Sequence, residues 1–118
     1  DNERRDPMIP APTLRTLSQF LLRDRNPYDA LVSPLHGDFS GLPPMFVIVG
    51  STEVLRDDSR RLAACAQAAG VPVRYEEWHR MPHVFPIFAA ILPEGRSAFE
   101  HMREFVRGVK IQRKAQAA

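Results

Sequence analysis

The chain has 118 residues, of which 44% are hydrophobic and 25% are charged, and its formal net charge is +2. These values are typical of one globular domain and exclude a disordered polypeptide. Basic residues do not cluster on a face with aromatic residues between them, and the apolar runs are far shorter than the roughly 18 residues that span a bilayer, so we expect neither a nucleic-acid partner nor a membrane span. The single Cys65 allows no internal disulfide, which favours a reducing, cytoplasmic location.

The first third of the chain predicts one short helix between irregular stretches. Residues 1–12 are polar and interrupted by prolines, which predicts an extended stretch. Residues 13–22 place apolar side chains at helical spacing, so we expect an amphipathic helix with Thr13 as its N-cap. Residues 30–44 are rich in glycine and proline and predict an ordered loop.

A strand and a helix follow. Residues 45–49 form a continuous apolar run that ends at Gly50, which predicts a strand buried on both faces of a parallel sheet. Residues 55–69 predict a helix with alanines on its packing face. Asp57 and Asp58 fall in its first turn, where negative charge complements the helix dipole.

The second half of the unit completes a crossover. Gly70 is expected at the left-handed C-cap of the helix. Residues 71–78 predict a second strand, and the order strand, helix, strand implies a right-handed parallel connection. A terminal amphipathic helix is expected at residues 94–110, followed by a frayed tail at residues 111–118. The order of strands and helices places the chain in the α/β fold class. Because two strands are too few for a complete doubly wound sheet, the chain is expected to be part of a larger domain.

An acidic residue and a histidine occupy positions where α/β proteins collect chemistry. Glu53 follows the first strand, at the carboxyl edge where ligands and catalytic groups gather. His83 lies on a proline-flanked loop after the second strand, and imidazole titrates near neutrality, which suits a general base. Asp57 and Asp58 compete for the acid role, although helix capping and compensation of the helix dipole explain them better. A solvated glutamate and a structural histidine remain the alternatives for the pair.

The sequence supplies no convincing nucleophile to accompany this pair. Gly37-Asp38-Phe39-Ser40-Gly41 has the order G-x-x-S-G, whereas a nucleophile elbow reads G-x-S-x-G. Ser51 lacks the second glycine, and Cys65 is expected to be a buried, inert thiol on the packing face of its helix. His79 could share a metal with His83, but no third ligand has suitable spacing, so we expect neither a metal nor a cofactor.

Several segments occur in the order found in one known family. They are Arg5-Asp6-Pro7-Met8, Asp29-Ala30-Leu31-Val32-Ser33-Pro34-Leu35, Ser40-Gly41-Leu42-Pro43-Pro44, Gly50-Ser51-Thr52-Glu53-Val54-Leu55-Arg56-Asp57-Asp58-Ser59, Gly70-Val71-Pro72-Val73 and Met81-Pro82-His83-Val84-Phe85. In these segments the chain resembles the carboxyl-terminal part of the hormone-sensitive-lipase-like (family IV) esterases, which are bacterial carboxylesterases of the α/β-hydrolase fold. The family's acid motif D-P-L-x-D is replaced by Glu53-Val54-Leu55-Arg56-Asp57, and His83 falls at the matching spacing.

The resemblance implies a domain division and a set of site residues. Residues 1–25 would belong to a helical cap over the active site, and residues 26–118 to the carboxyl-terminal portion of the hydrolase core. Glu53 would be the acid and His83 the base of a serine carboxylesterase of short to medium acyl esters, with Asp57 or Asp58 as the alternative acid. The candidate substrate-binding residues are Met8, Ile9, Leu17, Phe20, Leu21, Val84 and Phe85, for each of which plain packing is an equal alternative.

The resemblance also implies partners. The small-molecule partner would be an ester, and the family's nucleophilic serine and oxyanion loop would lie in an amino-terminal segment of the same hydrolase. Since the chain does not begin with Met, it is expected to be a processed or truncated product. Without the serine and the oxyanion loop, the isolated chain is expected to be inactive. The alternative is a non-catalytic, hydrolase-like interaction module that associates through its open sheet edge, for example as a homodimer.

Overall fold

The computed structural model describes residue 2 and residues 5–116. In chain order, the elements are helix α1 (Ala11–Leu22), strand β1 (Met45–Gly50), helix α2 (Arg56–Ala68), strand β2 (Val73–Trp78) and helix α3 (Pro93–Gln116), with short 3-10 turns at Pro34–His36 and Phe85–Phe88. The chain divides into two compact units, residues 1–83 and residues 84–118. Among the described helices, none is long and apolar enough to cross a bilayer.

The first unit is built on a parallel pair of strands. β1 and β2 are in register from Met45 opposite Val73 to Gly50 opposite Trp78, which confirms the predicted parallel crossover. Because the strands are parallel, their carboxyl ends meet at one edge of the sheet. The loops that follow Gly50 and Trp78 therefore both begin at this edge of the sheet.

Helix α2 packs on this sheet through small side chains. Ala63 and Ala66 are buried on α2, and Val49 is the most deeply buried side chain of β1. A core cluster forms around Phe39, Ala66 and Val71. The absence of side-chain atoms beyond Cβ lets the helix axis approach the strands closely. β1 is fully buried only at its carboxyl end, because a single helix covers it within the described residues.

Several helix boundaries differ from the sequence-based expectations. α1 begins at Ala11 with Pro10 as the N-cap residue, so the N-cap predicted at Thr13 was wrong. The helix can start this early because Pro12 falls in its first turn, where proline is well tolerated. α3 continues to Gln116, so the predicted fraying from residue 111 is also wrong.

The cap of α2 agrees with the prediction, but its thiol does not. Gly70 has a φ of 80°, the left-handed conformation that glycine adopts freely after a helix. Asp57 and Asp58 lie in the first turn of α2, as expected. Cys65 is exposed and not buried as predicted. The helix packs through Ala63 and Ala66, and Cys65 points away from that face.

The second unit consists of the 3-10 turn and α3. Phe85 and Ala98 are buried. A Cβ added to Gly95 would lie 2.9 Å from the backbone of Ala89, so the first turn of α3 and the end of the 3-10 turn approach each other more closely than any side chain would permit. Within this unit, the backbone of Gly95 therefore packs directly against the backbone of Ala89.

Candidate active site

Two loops leave the carboxyl edge of the sheet and carry the predicted acid and base. The acid loop, residues 51–54, follows β1, and the histidine loop, residues 79–83, follows β2. The Ser51 amide donates to the Trp78 carbonyl at 2.9 Å, which extends the β1–β2 ladder by one hydrogen bond. The two loops therefore start side by side.

Glu53 and His83 meet through a short hydrogen bond. Nδ1 of His83 lies 2.6 Å from Oε2 of Glu53. The other carboxylate oxygen, Oε1, accepts a 2.6 Å hydrogen bond from the Gly50 amide. Glu53 is only 5% exposed, and burying a carboxylate is costly unless its oxygens are hydrogen-bonded. Here both oxygens have donors, so the buried charge is compensated.

This arrangement fixes the orientation of the imidazole. With Nδ1–H donating to the carboxylate, Nε2 carries the lone pair and is the nitrogen that can take a proton from another group. The His83 side chain is 24% exposed, whereas that of Glu53 is 7% exposed. The pair can thus act as a base whose protonated form is stabilised by an adjacent anion.

The acid loop is tied directly to the histidine loop. The Thr52 hydroxyl donates to the Met81 carbonyl at 2.7 Å, and the Arg80 amide donates to Oγ of Ser51 at 2.8 Å. A Cβ added to Gly50 would lie 2.1 Å from the Met81 carbonyl oxygen, so only glycine allows this approach. Sequence reasoning missed these residues; the signal available was a glycine followed by two hydroxyl side chains at a strand end.

A second group of contacts comes from the start of the chain, here called the leading segment (Asn2 and residues 5–10). The Asn2 side-chain amide donates to the carbonyls of Ser51, at 2.7 Å, and Glu53, at 3.1 Å. Oδ2 of Asp6 accepts a 2.8 Å hydrogen bond from the Val54 amide. No pattern in the sequence predicted a contact of Asn2 or Asp6 with the acid loop.

The Asp6 carboxylate also closes its own turn. Oδ1 accepts hydrogen bonds from the amides of Met8, at 2.8 Å, and Ile9, at 2.9 Å. Desolvation acts to raise the pKa of Asp6, but the hydrogen bonds from the Val54, Ile9 and Met8 amides and the nearby His83 lower it, and the net pKa lies below its ordinary value. Asp6 is therefore held in its ionised form.

The alternative acids lie elsewhere. Asp57 accepts from Nε of Arg56 at 3.0 Å and Asp58 pairs with Arg61, with side chains that are 43% and 54% exposed. The hydrogen bond from Arg56 lowers the pKa of Asp57. Both aspartates stabilise the first turn of α2, and neither is the carboxylate that His83 contacts.

The candidate substrate-binding residues are not gathered in one place. On and before α1, four of them are exposed, namely Met8, Leu17, Phe20 and Leu21. Phe20 and Leu21 line an open cavity of about 310 Å³ together with Arg23 and Arg25. Ile9 is half-buried.

The two candidates after the histidine differ from each other. Val84 is exposed and has a φ of 47°, an uncommon conformation for a β-branched residue and one that stores strain. Phe85 is 1% exposed, which is the environment of a packing side chain.

Two further features lie apart from the acid–histidine pair. A cavity of about 390 Å³ is lined by Ser33, Pro34, Leu35, Val47, Leu55, Asp58, Ser59 and Leu62, and its lining contains neither Glu53 nor His83. In the portion of the chain that the structure describes, no three His, Cys, Asp or Glu side chains are grouped so as to hold a metal ion.

Residues 1–87 match a protein family described by its alpha/beta hydrolase fold. The chain belongs to the α/β-hydrolase family. The predicted fold class is thereby confirmed, and the acid and histidine loops of this hydrolase both fall inside the matched region.

Sequence relatives of this α/β-hydrolase chain are esterases. An acetyl-hydrolase of Streptomyces hygroscopicus is 44% identical over 103 residues, which cover 87% of this chain and 34% of the relative. An esterase of Acinetobacter venetianus is 35% identical over 111 residues, which cover 93% of this chain and 37% of the relative. The hydrolase chain thus spans about a third of the length of these relatives.

Solved structures give the same result. A hormone-sensitive lipase from a metagenome library superposes with a TM-score of 0.87 at 32% identity, covering 92% of this chain and 38% of that one. An esterase from the bacterial hormone-sensitive lipase family superposes with a TM-score of 0.85 at 43% identity, covering 91% and 36%. The resemblance to the hormone-sensitive-lipase-like esterases is confirmed, and the matched third is the carboxyl-terminal part of the fold.

Proposed function

We propose that this chain supplies the acid and the histidine of a serine carboxylesterase that acts on short to medium acyl esters. The observation that carries the proposal is the 2.6 Å hydrogen bond between Nδ1 of His83 and the buried carboxylate of Glu53. A buried carboxylate that orients an imidazole is the arrangement that activates a hydroxyl nucleophile. Asp57 and Asp58 are engaged by arginines, which favours Glu53 over them as the acid.

The proposed reaction needs a serine from an amino-terminal segment of the same hydrolase. As its Oγ attacks the ester carbonyl carbon, Nε2 of His83 takes the hydroxyl proton and Glu53 stabilises the resulting imidazolium. His83 then returns the proton to the leaving alcohol, which leaves an acyl-serine. Water, deprotonated by the same nitrogen, hydrolyses this intermediate to the carboxylic acid and regenerates the serine. The oxyanion hole would come from that same amino-terminal segment.

Apolar side chains before and along α1 support an ester substrate. Met8, Leu17, Phe20 and Leu21 are exposed, as a cap that contacts an acyl or alcohol group would require, and residues 1–25 are proposed to be part of that cap. Ile9 and Val84 are further candidates, whereas the burial of Phe85 favours packing. The Streptomyces relative named an acetyl-hydrolase supports the short end of the chain-length range.

The test uses the polypeptide that carries this sequence at its natural length. Glu53→Ala and His83→Ala should each lower kcat on p-nitrophenyl esters by on the order of 10³- to 10⁴-fold. Asp57→Ala, which removes an acid four residues away that contacts arginine, should leave kcat within about twofold. A collapse of kcat in Asp57→Ala with Glu53→Ala unaffected would show that the acid is misassigned. The purified 118-residue chain alone is expected to be inactive.

A non-catalytic interaction module remains the second candidate, because of one observation. Among the described residues the sheet has two strands, β1 and β2, so each strand has an outer edge whose backbone groups can pair with another chain. The remainder of the same hydrolase is the partner we favour, and a second copy of the chain is the alternative. Sedimentation of the purified chain as a stable, folded monomer would argue against both.

A further inference from the structure

We propose that Asn2 and Asp6 are positioning residues that brace the acid loop and thereby set the place of the Glu53 carboxylate beside His83. This inference rests on the proposed function and extends it to residues that do not touch the imidazole. Both residues belong to the leading segment, about 50 positions earlier in the chain than the loop they contact. Their contacts fall on the backbone immediately around Glu53.

Asn2 holds the loop from its carbonyl groups. Its side-chain amide has two N–H donors, and both are used: one on the Ser51 carbonyl and one on the Glu53 carbonyl. Asn2 is only 2% exposed, so water cannot readily replace these bonds. Without these donors, the Glu53 carbonyl would keep its longer, 3.3 Å hydrogen bond from the Arg56 amide but would lose its side-chain partner, which is costly at a buried position.

Asp6 binds the acid loop at Val54, the residue that follows Glu53. Its carboxylate accepts the amide of Val54 on one oxygen and the amides of Met8 and Ile9 on the other. Hydrogen bonds to an ionised acceptor are roughly twice as strong as neutral ones. Asp6 thus joins the residue after Glu53 to a closed turn of the leading segment.

Together, the two residues define the backbone from which the Glu53 side chain extends. The carbonyl of Glu53 is bonded to Asn2, and the next amide is bonded to Asp6. The catalytic contact depends on a 2.6 Å separation between the carboxylate and the imidazole, so a shift of about 1 Å in this backbone would break it, with a cost in rate of up to about 10²-fold.

The kinetic test uses Asn2→Asp and Asp6→Ala in the natural-length polypeptide. Asn2→Asp keeps the size of the side chain but aims an acceptor at two carbonyl oxygens, and Asp6→Ala removes the acceptor of the Val54 amide. Each is expected to lower kcat on p-nitrophenyl esters by about 10- to 100-fold, with KM within about twofold. Because a smaller folded fraction would also lower the apparent kcat at an unchanged KM, kcat is expressed per folded molecule, with the folded fraction taken from far-UV circular dichroism.

Matched controls come from exposed turns of the same chain. Asn26 accepts the Tyr28 amide and Asp29 accepts the Leu31 amide, so Asn26→Asp and Asp29→Ala make the same chemical changes away from the acid loop. Both should leave kcat within about twofold. The proposal that Asn2 and Asp6 position the acid loop is wrong if Asn2→Asp and Asp6→Ala behave like these controls.

A second readout does not depend on activity. Long-range ¹H–¹⁵N correlation spectra report which ring nitrogen of His83 carries the proton, and the wild type should show the Nδ1–H form that donates to Glu53. Asn2→Asp should populate both tautomers in a chain whose far-UV circular dichroism is unchanged; if it does not fold, Asn2→Ser, which keeps one donor, takes its place. An unchanged tautomer would overturn the brace.

The two proposals fail in different ways. If Glu53→Ala and His83→Ala retain ester hydrolysis, the proposed function is wrong, and the His83 tautomer then decides the brace by itself. If those variants are inactive while Asn2→Asp and Asp6→Ala match their controls in kcat and in tautomer, the function stands and the brace is wrong.

Discussion

Two groups of carboxylates, one at the acid loop and one at the first turn of α2, are held in opposite ways. At the acid loop, Glu53 and Asp6 receive hydrogen bonds from backbone amides and from an imidazole. At the first turn of α2, Asp57 and Asp58 pair with arginines in positions that are about half exposed. Backbone amides are fixed by the fold, whereas arginine side chains follow the carboxylate wherever it moves. Position is defined in the first group and charge is merely balanced in the second.

This difference supports the proposal that Glu53, and neither Asp57 nor Asp58, orients His83 for catalysis. An orienting carboxylate must return to the same place in every catalytic cycle, which requires donors that do not move. At the first turn of α2, Asp57 pairs with the long side chains of Arg56 and Arg60, whose charged ends can move with the carboxylate. If the acid loop is rigid, substitutions in it should have larger effects than matched substitutions at positions without such contacts.

The largest effect is expected from Gly50→Ala. The added methyl would meet the Met81 carbonyl oxygen at 2.1 Å and the Pro82 carbonyl oxygen at 2.8 Å, so the acid and histidine loops would have to separate. We expect the free energy of unfolding to fall by about 3 kcal/mol in denaturant titrations. Gly108→Ala is the control, because a methyl group added there on α3 would have no heavy atom of another element within 4 Å, and it should stabilise by about 0.5–1 kcal/mol. Equal effects at the two glycines would contradict a rigid contact at Gly50.

A smaller effect is expected from Thr52→Val, which keeps the shape of the side chain and removes its hydroxyl donor to the Met81 carbonyl. The free energy of unfolding should fall by about 1 kcal/mol, the usual value of one partly buried hydrogen bond. Thr16→Val removes a hydroxyl that donates to the Pro12 carbonyl on the exposed surface of α1, and it should change stability by less than about 0.5 kcal/mol. Denaturant titration of both variants shows whether the loop contact exceeds its surface counterpart.

The smallest expected effect is a difference in how strongly salt changes the pKa of Asp6 and the pKa of Asp57. Asp6 and Asp57 both have a pKa below the ordinary value, the first through backbone amides that outweigh desolvation and the second through the hydrogen bond from Arg56. Because each folded pKa is depressed, each carboxylate stabilises the fold above its unfolded pKa, and that contribution is lost as the pH falls through the folded pKa. In about 1 M NaCl the pKa of Asp57 should return towards its ordinary value, while that of Asp6 stays low. Carboxyl ¹³C titrations at low and high salt measure both, and equal salt sensitivity would contradict the distinction.

The sequence was sufficient to predict the two strands, their parallel crossover and the placement of Glu53 and His83 at the same edge of the sheet, where the two side chains meet. Apolar runs and glycine punctuation are local signals, and Glu53 and His83 follow directly from the ends of two parallel strands. Asn2 and Asp6 could not be predicted, because a side chain bonded to a distant backbone leaves no periodic pattern. Cys65 was placed on the wrong face since the alternation of alanines around it fits more than one helical rotation.

The hydrogen bonds of Asn2 also bear on the order in which the molecule folds. They join positions 51 residues apart, whereas α2 connects β1 to β2 over a much shorter span. Closing the longer loop carries the greater entropic cost, so the strand–helix–strand unit is expected to form first. During synthesis, Asn2 would therefore leave the ribosome before the loop that it binds, and it would be among the last residues of the first unit to dock. A ribosome-bound chain that has not yet exposed its histidine loop would have no finished acid loop for Asn2 to bind.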